Sequence, residues 1–204
     1  MRRSTVSCVA AVALVLAVAG VARAGAPTDQ LREYTDNVVK VLENTSLPEA
    51  ERRAAVRSIA QEVFDVEETA RRALGRHWHA RTAAEREEFV RLFAELMEST
   101  YISRIDLYGG ERLRFVDEKI DGEHAVVRAR IVTRQGTEVP VEGRMLRRGD
   151  RWLLYDVVIE GVSLIANYRA QFDRIIRSSS FEDLVRRLRD RTQAPERSAR
   201  PLAS

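Results

Sequence analysis

The chain has 204 residues, 45% apolar and 32% charged, with one cysteine, five prolines and ten glycines. That length suits one domain with a core and room for a ligand cavity, and the composition excludes a collagen-like, low-complexity or disordered chain. The formal charge of +3 comes from the two ends. Residues 25–185 are net acidic, which excludes the folded basic patch a nucleic-acid binder needs.

Met1-Arg2-Arg3 is a positive start, and Ser4 to Ala22 is an uncharged stretch of mainly Val, Ala and Leu. Ala22-Arg23-Ala24 is an A-x-A cleavage signal. Together they predict a secretory signal peptide, residues 1–24, cut after Ala24, and hence an exported protein. The stretch is nearly long enough to span a bilayer, but its alanine content favours cleavage over anchoring. Cys8 lies inside this leader, so the remainder has no thiol. Disulfides, iron–sulfur clusters, thiolate zinc sites and cysteine nucleophiles are excluded, and the fold must rest on its apolar core.

Leu31, Tyr34, Val38, Val41 and Leu42 recur at helical spacing. Ser46-Leu47-Pro48-Glu49 reads as a capping box opening a second helix, with Val56, Ile59, Ala60 and Val63 on its apolar face. Asp65 restarts a short helix that stops at Leu74-Gly75. Thr82-Ala83-Ala84-Glu85 is another capping box, opening a long helix that runs through Ile105 and ends at Gly109-Gly110.

The period then changes from 3.6 to 2. Leu113–Ile120, Ala125–Thr133, Glu138–Leu146 and Trp152–Ile159 are predicted strands, joined by short turn dipeptides in an antiparallel meander. Val127, Ala129 and Ile131 face one way and Arg128 and Arg130 the other. Val139, Val141 and Met145 likewise alternate with Glu142 and Arg144, so one sheet face is dry and the other wet. Trp152–Ile159 is apolar on both faces and is expected to be covered on both. Ser163 caps a helix carrying Leu164, Ile165, Tyr168, Phe172, Ile175 and Ile176, and Ser180 caps a last one. The basic segment beyond Arg191 is tail-like. The fold class is α+β: a four-stranded curved antiparallel sheet packed against several helices, with one domain over 25–191 and a disordered tail over 192–204.

A chemical centre is hard to assemble from these residues. His77-Trp78-His79 is the best metal candidate, but i and i+2 histidines do not share a helix face, and His124 is predicted in a distant hairpin turn. No metal and no cofactor are expected. Gly161-Val162-Ser163-Leu164 follows a strand and precedes a helix as a nucleophile elbow does, yet Ile165 replaces the second glycine and no histidine follows. The Asp156/Glu160 pair could do acid–base work, but a structural role, as caps or in a pairing with Arg169, accounts for it better. What remains is an apolar surplus on the long helix, the dry sheet face and the helix after Ser163, which suits a binder of something apolar.

Phe64-Asp65-Val66, Ala70-Arg71, Ala73-Leu74-Gly75, Trp78 and the opening of the Thr82 helix form one set of strings. Tyr155-Asp156-Val157, Glu160-Gly161-Val162-Ser163-Leu164 and Asn167-Tyr168-Arg169 with Phe172 form another. Together, across about residues 30–190, they resemble the periplasmic phospholipid-binding component of the Mla (maintenance of lipid asymmetry) pathway, also called the toluene-tolerance auxiliary family. A branch associated with hopanoid-producing bacteria is similar. The resemblance implies a soluble, non-enzymatic periplasmic carrier, monomeric, with no nucleic-acid partner. It would pass phospholipid between an outer-membrane lipoprotein/porin complex and an inner-membrane ABC transporter complex. It further implies acyl chains held in a cleft between sheet and helices.

On that implication the lining falls to large side chains on the dry faces. From the long helix these are Phe93, Leu96, Met97, Tyr101 and Ile105. From the second and third strands they are Val127, Ala129, Ile131, Val139, Val141 and Met145. Leu153, Tyr155 and Val157 come from the fourth. Two other readings compete: a small-molecule enzyme on a cone-shaped α+β fold using Asp156 or His77, and a periplasmic adaptor whose apolar faces are entirely internal.

Overall fold

The computed structural model describes residues 26–193. The expected leader, its cleavage after Ala24, Cys8 and the chain from residue 194 lie outside the described residues. Thr192 and Gln193, assigned above to the tail, belong to the last helix.

Pro27 occupies the first turn of α1 (Pro27–Glu43), where its missing N–H is no loss. The expected capping box before α2 (Glu49–Val63) does not form. The N-cap is Pro48, and the Ser46 hydroxyl instead donates to Asn44 Oδ1 at 2.6 Å, closing a local turn. The two later caps do form. Asp65 accepts from the Glu68 N–H at 3.0 Å to open α3 (Val66–Leu74). Thr82 and Glu85 exchange reciprocal hydrogen bonds to open α4 (Ala83–Tyr101). Gly75 ends α3 with φ +60°. The long helix is shorter than its sequence pattern: α4 stops at Tyr101, and Ile102–Leu107 tighten into a 3₁₀ turn. The β-branched and aromatic residues at Thr100-Tyr101-Ile102 are weak helix formers.

Five strands follow in a single antiparallel sheet whose spatial order is the chain order: β1 (Arg112–Asp121), β2 (His124–Val132), β3 (Glu138–Arg148), β4 (Arg151–Ile159) and β5 (Val162–Ser163). Four were expected; the fifth is the two-residue return of a tight hairpin after β4. Ser163 ends β5 and caps α5 (Leu164–Ser178), and Ser180 caps α6 (Phe181–Gln193).

Two bulges interrupt the alternation. Val116 is extra in β1 against β2. In β4, Met145 opposes Leu154 and Arg144 opposes Asp156, which leaves Tyr155 unmatched. Directly opposed residues share a face, so the bulge reverses the parity of β4. Trp152 and Leu154 before it, and Val157 and Ile159 after it, lie on one face, and Leu153 lies on the other.

The side chains sort into two cores. One joins the dry sheet face to the first two helices and contains Leu31, Val63, Val127, Met145, Trp152 and Leu154. The other is wholly helical, drawn from α3 to α6 and centred on aromatic rings. Phe93 stacks on Phe89 at 5.9 Å and meets Tyr168 and Phe172 edge-on at 5.3 and 5.6 Å, pairs worth about 0.5–1.5 kcal/mol each beyond area burial. The junction of α2 and α3 fastens one core to the other. Phe64 makes a parallel bridge to Leu154, the Asp65 N–H donates to the Leu154 carbonyl at 2.8 Å, and Arg148 of β3 donates to Asp65 at 2.7 Å. No described helix is long and apolar enough to cross a membrane.

Candidate functional site: an apolar cavity between two cores

The two cores do not merge completely. Where α2 of the sheet core passes α4 of the helical core, a cavity of about 300 Å³ remains, at the lower end of the usual range for ligand pockets of about 300–1,000 Å³. Ala60 of α2, Phe64 just after it, Val66 and Thr69 of α3, and Phe93, Ala94, Met97 and Tyr101 of α4 form its walls, with Ile102 just beyond. Val157 and Ile159 of β4 and Leu164 of α5 complete it. Thr69 adds no free polarity, since its hydroxyl is spent on the Asp65 carbonyl at 2.6 Å. Charge enters at one place only: Arg57 of α2 and Glu98 of α4 line the cavity and form an ion pair across it, beside the Gln61 amide. Tyr101 and Ile159 are nearly half exposed, at 46% and 45%, so an apolar rim reaches solvent.

Of the residues expected to line a cleft, Phe93, Met97, Tyr101 and Val157 come together here. Leu96 is fully buried inside the helical core, and Ile105 lies in the 3₁₀ turn, away from the wall, because α4 ends before reaching it. Val127 and Met145 are core under the first two helices. Ala129, Ile131, Val139 and Val141 hold the dry face of β2 and β3, where Ala129 opposes Val141 and Ile131 opposes Val139. Val141 in turn opposes the cavity residue Ile159, so this face continues from the cavity floor across the sheet. Leu153 is turned away by the parity reversal. Tyr155, the bulged residue, is buried beneath the Arg72 guanidinium, 3.9 Å from the ring centroid, with His124 edge-on to it. The bulge carries no sequence signature strong enough to warn of either outcome.

The α2 contribution was missed, although the signal was present: Ala60 and Phe64 are four residues apart and continue the apolar face already recognised at Val56. Arg57, Gln61 and Glu98 were missed because nothing in the sequence brings two distant helices together.

The alternative chemical centres resolve into structural roles. Asp156, only 4% exposed, accepts from the Ser163 hydroxyl at 2.6 Å, the Ile165 N–H at 3.1 Å and Arg144 at 3.2 Å. Ser163 accepts from the Ala166 N–H at 2.9 Å. Both residues are caps of α5, and the partner of Asp156 is Arg144, not Arg169. The Arg169 stem lies over Gly75, where an added Cβ would fall 2.9 Å from its Cδ. His77 Nε2 is 2.8 Å from Asp173, whose carboxylate also pairs with Arg76 and Arg177. The His77 hydrogen bond, followed by Arg76, holds the Asp173 carboxyl below the usual aspartate range. Among the described residues no group of three His, Cys, Asp or Glu side chains is gathered as a metal site.

A family model described as MlaC protein matches residues 32–190. The chain is similar to the intermembrane phospholipid transport system binding protein MlaC of Haemophilus influenzae, 23% identical over 148 residues, which cover 70% of this chain and 69% of that protein. Among solved structures it is similar to a phospholipid-binding protein from Ralstonia solanacearum in complex with a phospholipid. That likeness has a TM-score of 0.72 at 20% identity and covers 81% of this chain and 96% of the other. At that identity the match establishes the shared α+β fold.

Proposed function

The chain belongs to the MlaC protein family, and on that premise we propose that it is a periplasmic lipid carrier whose cavity between α2 and α4 takes up phospholipid acyl chains. The observation that carries this reading is the cavity itself, an apolar space walled by both cores and opening at an apolar rim. The similarity to a protein named for intermembrane phospholipid transport, and to one solved with a phospholipid, supports the choice of ligand.

The physics suits a shuttle without chemistry of its own. Each methylene kept from water is worth about 0.8 kcal/mol, so a free lipid does not cross an aqueous gap unaided. Membrane interior and cavity are both apolar, so transfer between them is close to neutral, and direction comes from the partners. Those partners are an inner-membrane ABC transporter complex and an outer-membrane lipoprotein/porin complex, with this chain moving between them as a monomer. A cavity at the lower end of the ligand-pocket range suits acyl chain inside with the headgroup left at the exposed rim. Phe93, Met97, Val157 and Ile159 are the proposed acyl contacts.

Native mass spectrometry on protein purified without detergent from its own cell envelope tests the reading. Phospholipid bound one to one is the expected result. Protein that carries no lipid, and gains none after incubation with phospholipid vesicles, would overturn it.

A further inference from the structure

The Arg57–Glu98 pair is the one direct charge contact across the cavity among the described residues, and its geometry is unfinished. Arg57 approaches Glu98 at Nη2, and Arg57 Nε is buried with no hydrogen-bond partner. A guanidinium has two parallel donors in this fork, which match a carboxylate or phosphate in bidentate fashion. Half of the fork is unused beside an otherwise apolar cavity, and it is shut off from solvent while Arg57 stays on Glu98. Gln61, four residues after Arg57 on α2 and so on the same helix face, also lines the cavity and supplies a neutral amide donor. Two donors on α2 thus sit beside the apolar walls, opposed by one carboxylate on α4.

We propose that Arg57 is the phosphate anchor of the bound lipid and that Glu98 holds it in reserve until lipid enters. This deepens the carrier reading and rests on it. The exchange is balanced in charge: the guanidinium leaves one monoanion, the Glu98 carboxylate, for another, the phosphodiester. Both side chains are partly exposed, 42% for Arg57 and 34% for Glu98. The released carboxylate therefore returns to water, and a pair of this exposure holds only weakly. Since the pair ties α2 to α4, its exchange also frees the two helices to part. Phospholipid is preferred over an uncharged lipid of the same tails because only the phosphate completes the fork.

The test compares two probes that share acyl chains: a fluorescent acyl-labelled phosphatidylglycerol and the corresponding diacylglycerol, which lacks the phosphate. Each is titrated into the wild type, Arg57→Gln and Glu98→Gln, with circular dichroism to verify folding. The readout is the ratio of the two Kd values. Arg57→Gln should cut the preference for phosphatidylglycerol about tenfold, the loss of one charge-assisted contact. Glu98→Gln should raise that preference, because the competing carboxylate is gone. An unchanged ratio in Arg57→Gln, with both lipids weakened equally or not at all, would overturn the anchor while leaving the carrier intact. A wild type that binds neither lipid would instead overturn the carrier reading, and the anchor with it.

Discussion

Ser163 donates a 2.6 Å hydrogen bond to Asp156 while accepting one from the Ala166 N–H at 2.9 Å, so one hydroxyl links the end of β4 to the first turn of α5. With the Ile165 N–H also on Asp156, two of the otherwise unsatisfied amides of α5 are capped. Ser163→Ala should therefore cost about 1 kcal/mol of stability. Asp156→Ala should cost more, about 2 kcal/mol, because it leaves the buried Ile165 N–H without a partner and removes the Ser163 and Arg144 contacts as well. Shifts in urea midpoint at constant slope measure both, and equal effects of the two changes would refute the shared cap.

The same pair shows what the sequence made legible. Caps, strand alternation and the final serine-capped helices depend on residues a few positions apart, and Thr82, Asp65 and Ser163 all act as their local context requires. The cavity depends on where elements pass each other. Phe93, Met97, Tyr101 and Val157 were within reach because they sit on apolar faces with large side chains. Leu153 and Val157 look like one face by simple alternation, but the bulge at Tyr155 turns Val157 onto the dry face and leaves Leu153 on the other, opposite Leu146. Ile105 was lost to a helix that ended early, and Arg57 with Glu98 needed the packing of α2 against α4 to become neighbours.

Gly143 of β3 carries a prediction whose sign opposes strand propensity. Valine is the better strand former, yet a Cβ here would fall 2.9 Å from Leu154 Cδ2 and 3.2 Å from Leu31 Cδ2. Gly143→Val should destabilise by about 2 kcal/mol through overpacking of α1 against the sheet. Thermal unfolding decides between the two, and stabilisation would show that α1 yields without cost.

Glu160 and Gly161 form the two-residue turn between β4 and β5 with φ of 51° and 81°, both in the left-handed region required of a type I′ turn. Asparagine tolerates that region better than glutamate. Glu160→Asn keeps the backbone donation to the Pro140 carbonyl and should stabilise by about 0.5 kcal/mol. A fall in unfolding midpoint would show that the Glu160 side chain has a stabilising role.

Glu68 sets a pH dependence. Burial alone would raise its carboxyl, but hydrogen bonds from Arg71 and Arg72 at 2.6–2.7 Å outweigh burial and hold it below the ordinary glutamate range. A folded value below the unfolded one, about 4.3, means the unfolded chain binds more protons in that window. The contribution is therefore complete above about pH 5 and is lost as pH falls through the folded value. Glu68→Gln should cost about 1 kcal/mol at pH 7, discounted for the partial exposure of both arginines, and should flatten the fall in stability below pH 5. Urea titrations across pH 3–7 compare the two slopes, and parallel slopes would remove Glu68 from the acid transition.

Val157 allows volume and polarity to be separated within the cavity. Val157→Phe stays apolar and fills space between α2 and α4, so lipid uptake should fall while folding is retained. Val157→Glu puts a carboxylate against the same walls, where an unpaired charge is costly unless it escapes to solvent. The Tyr101–Ile159 rim offers that escape, so the fold should survive at a cost of about 1–2 kcal/mol, with acyl chains excluded. Val141 shares this sheet face one strand further on, opposite Ile159. Val141→Glu should therefore reduce uptake less than Val157→Glu. Lipid extracted per mole of folded protein ranks the three variants. Full retention by both Val157 variants would place the acyl chains elsewhere, and unfolding of Val157→Phe and Val157→Glu alike would make this wall ordinary core.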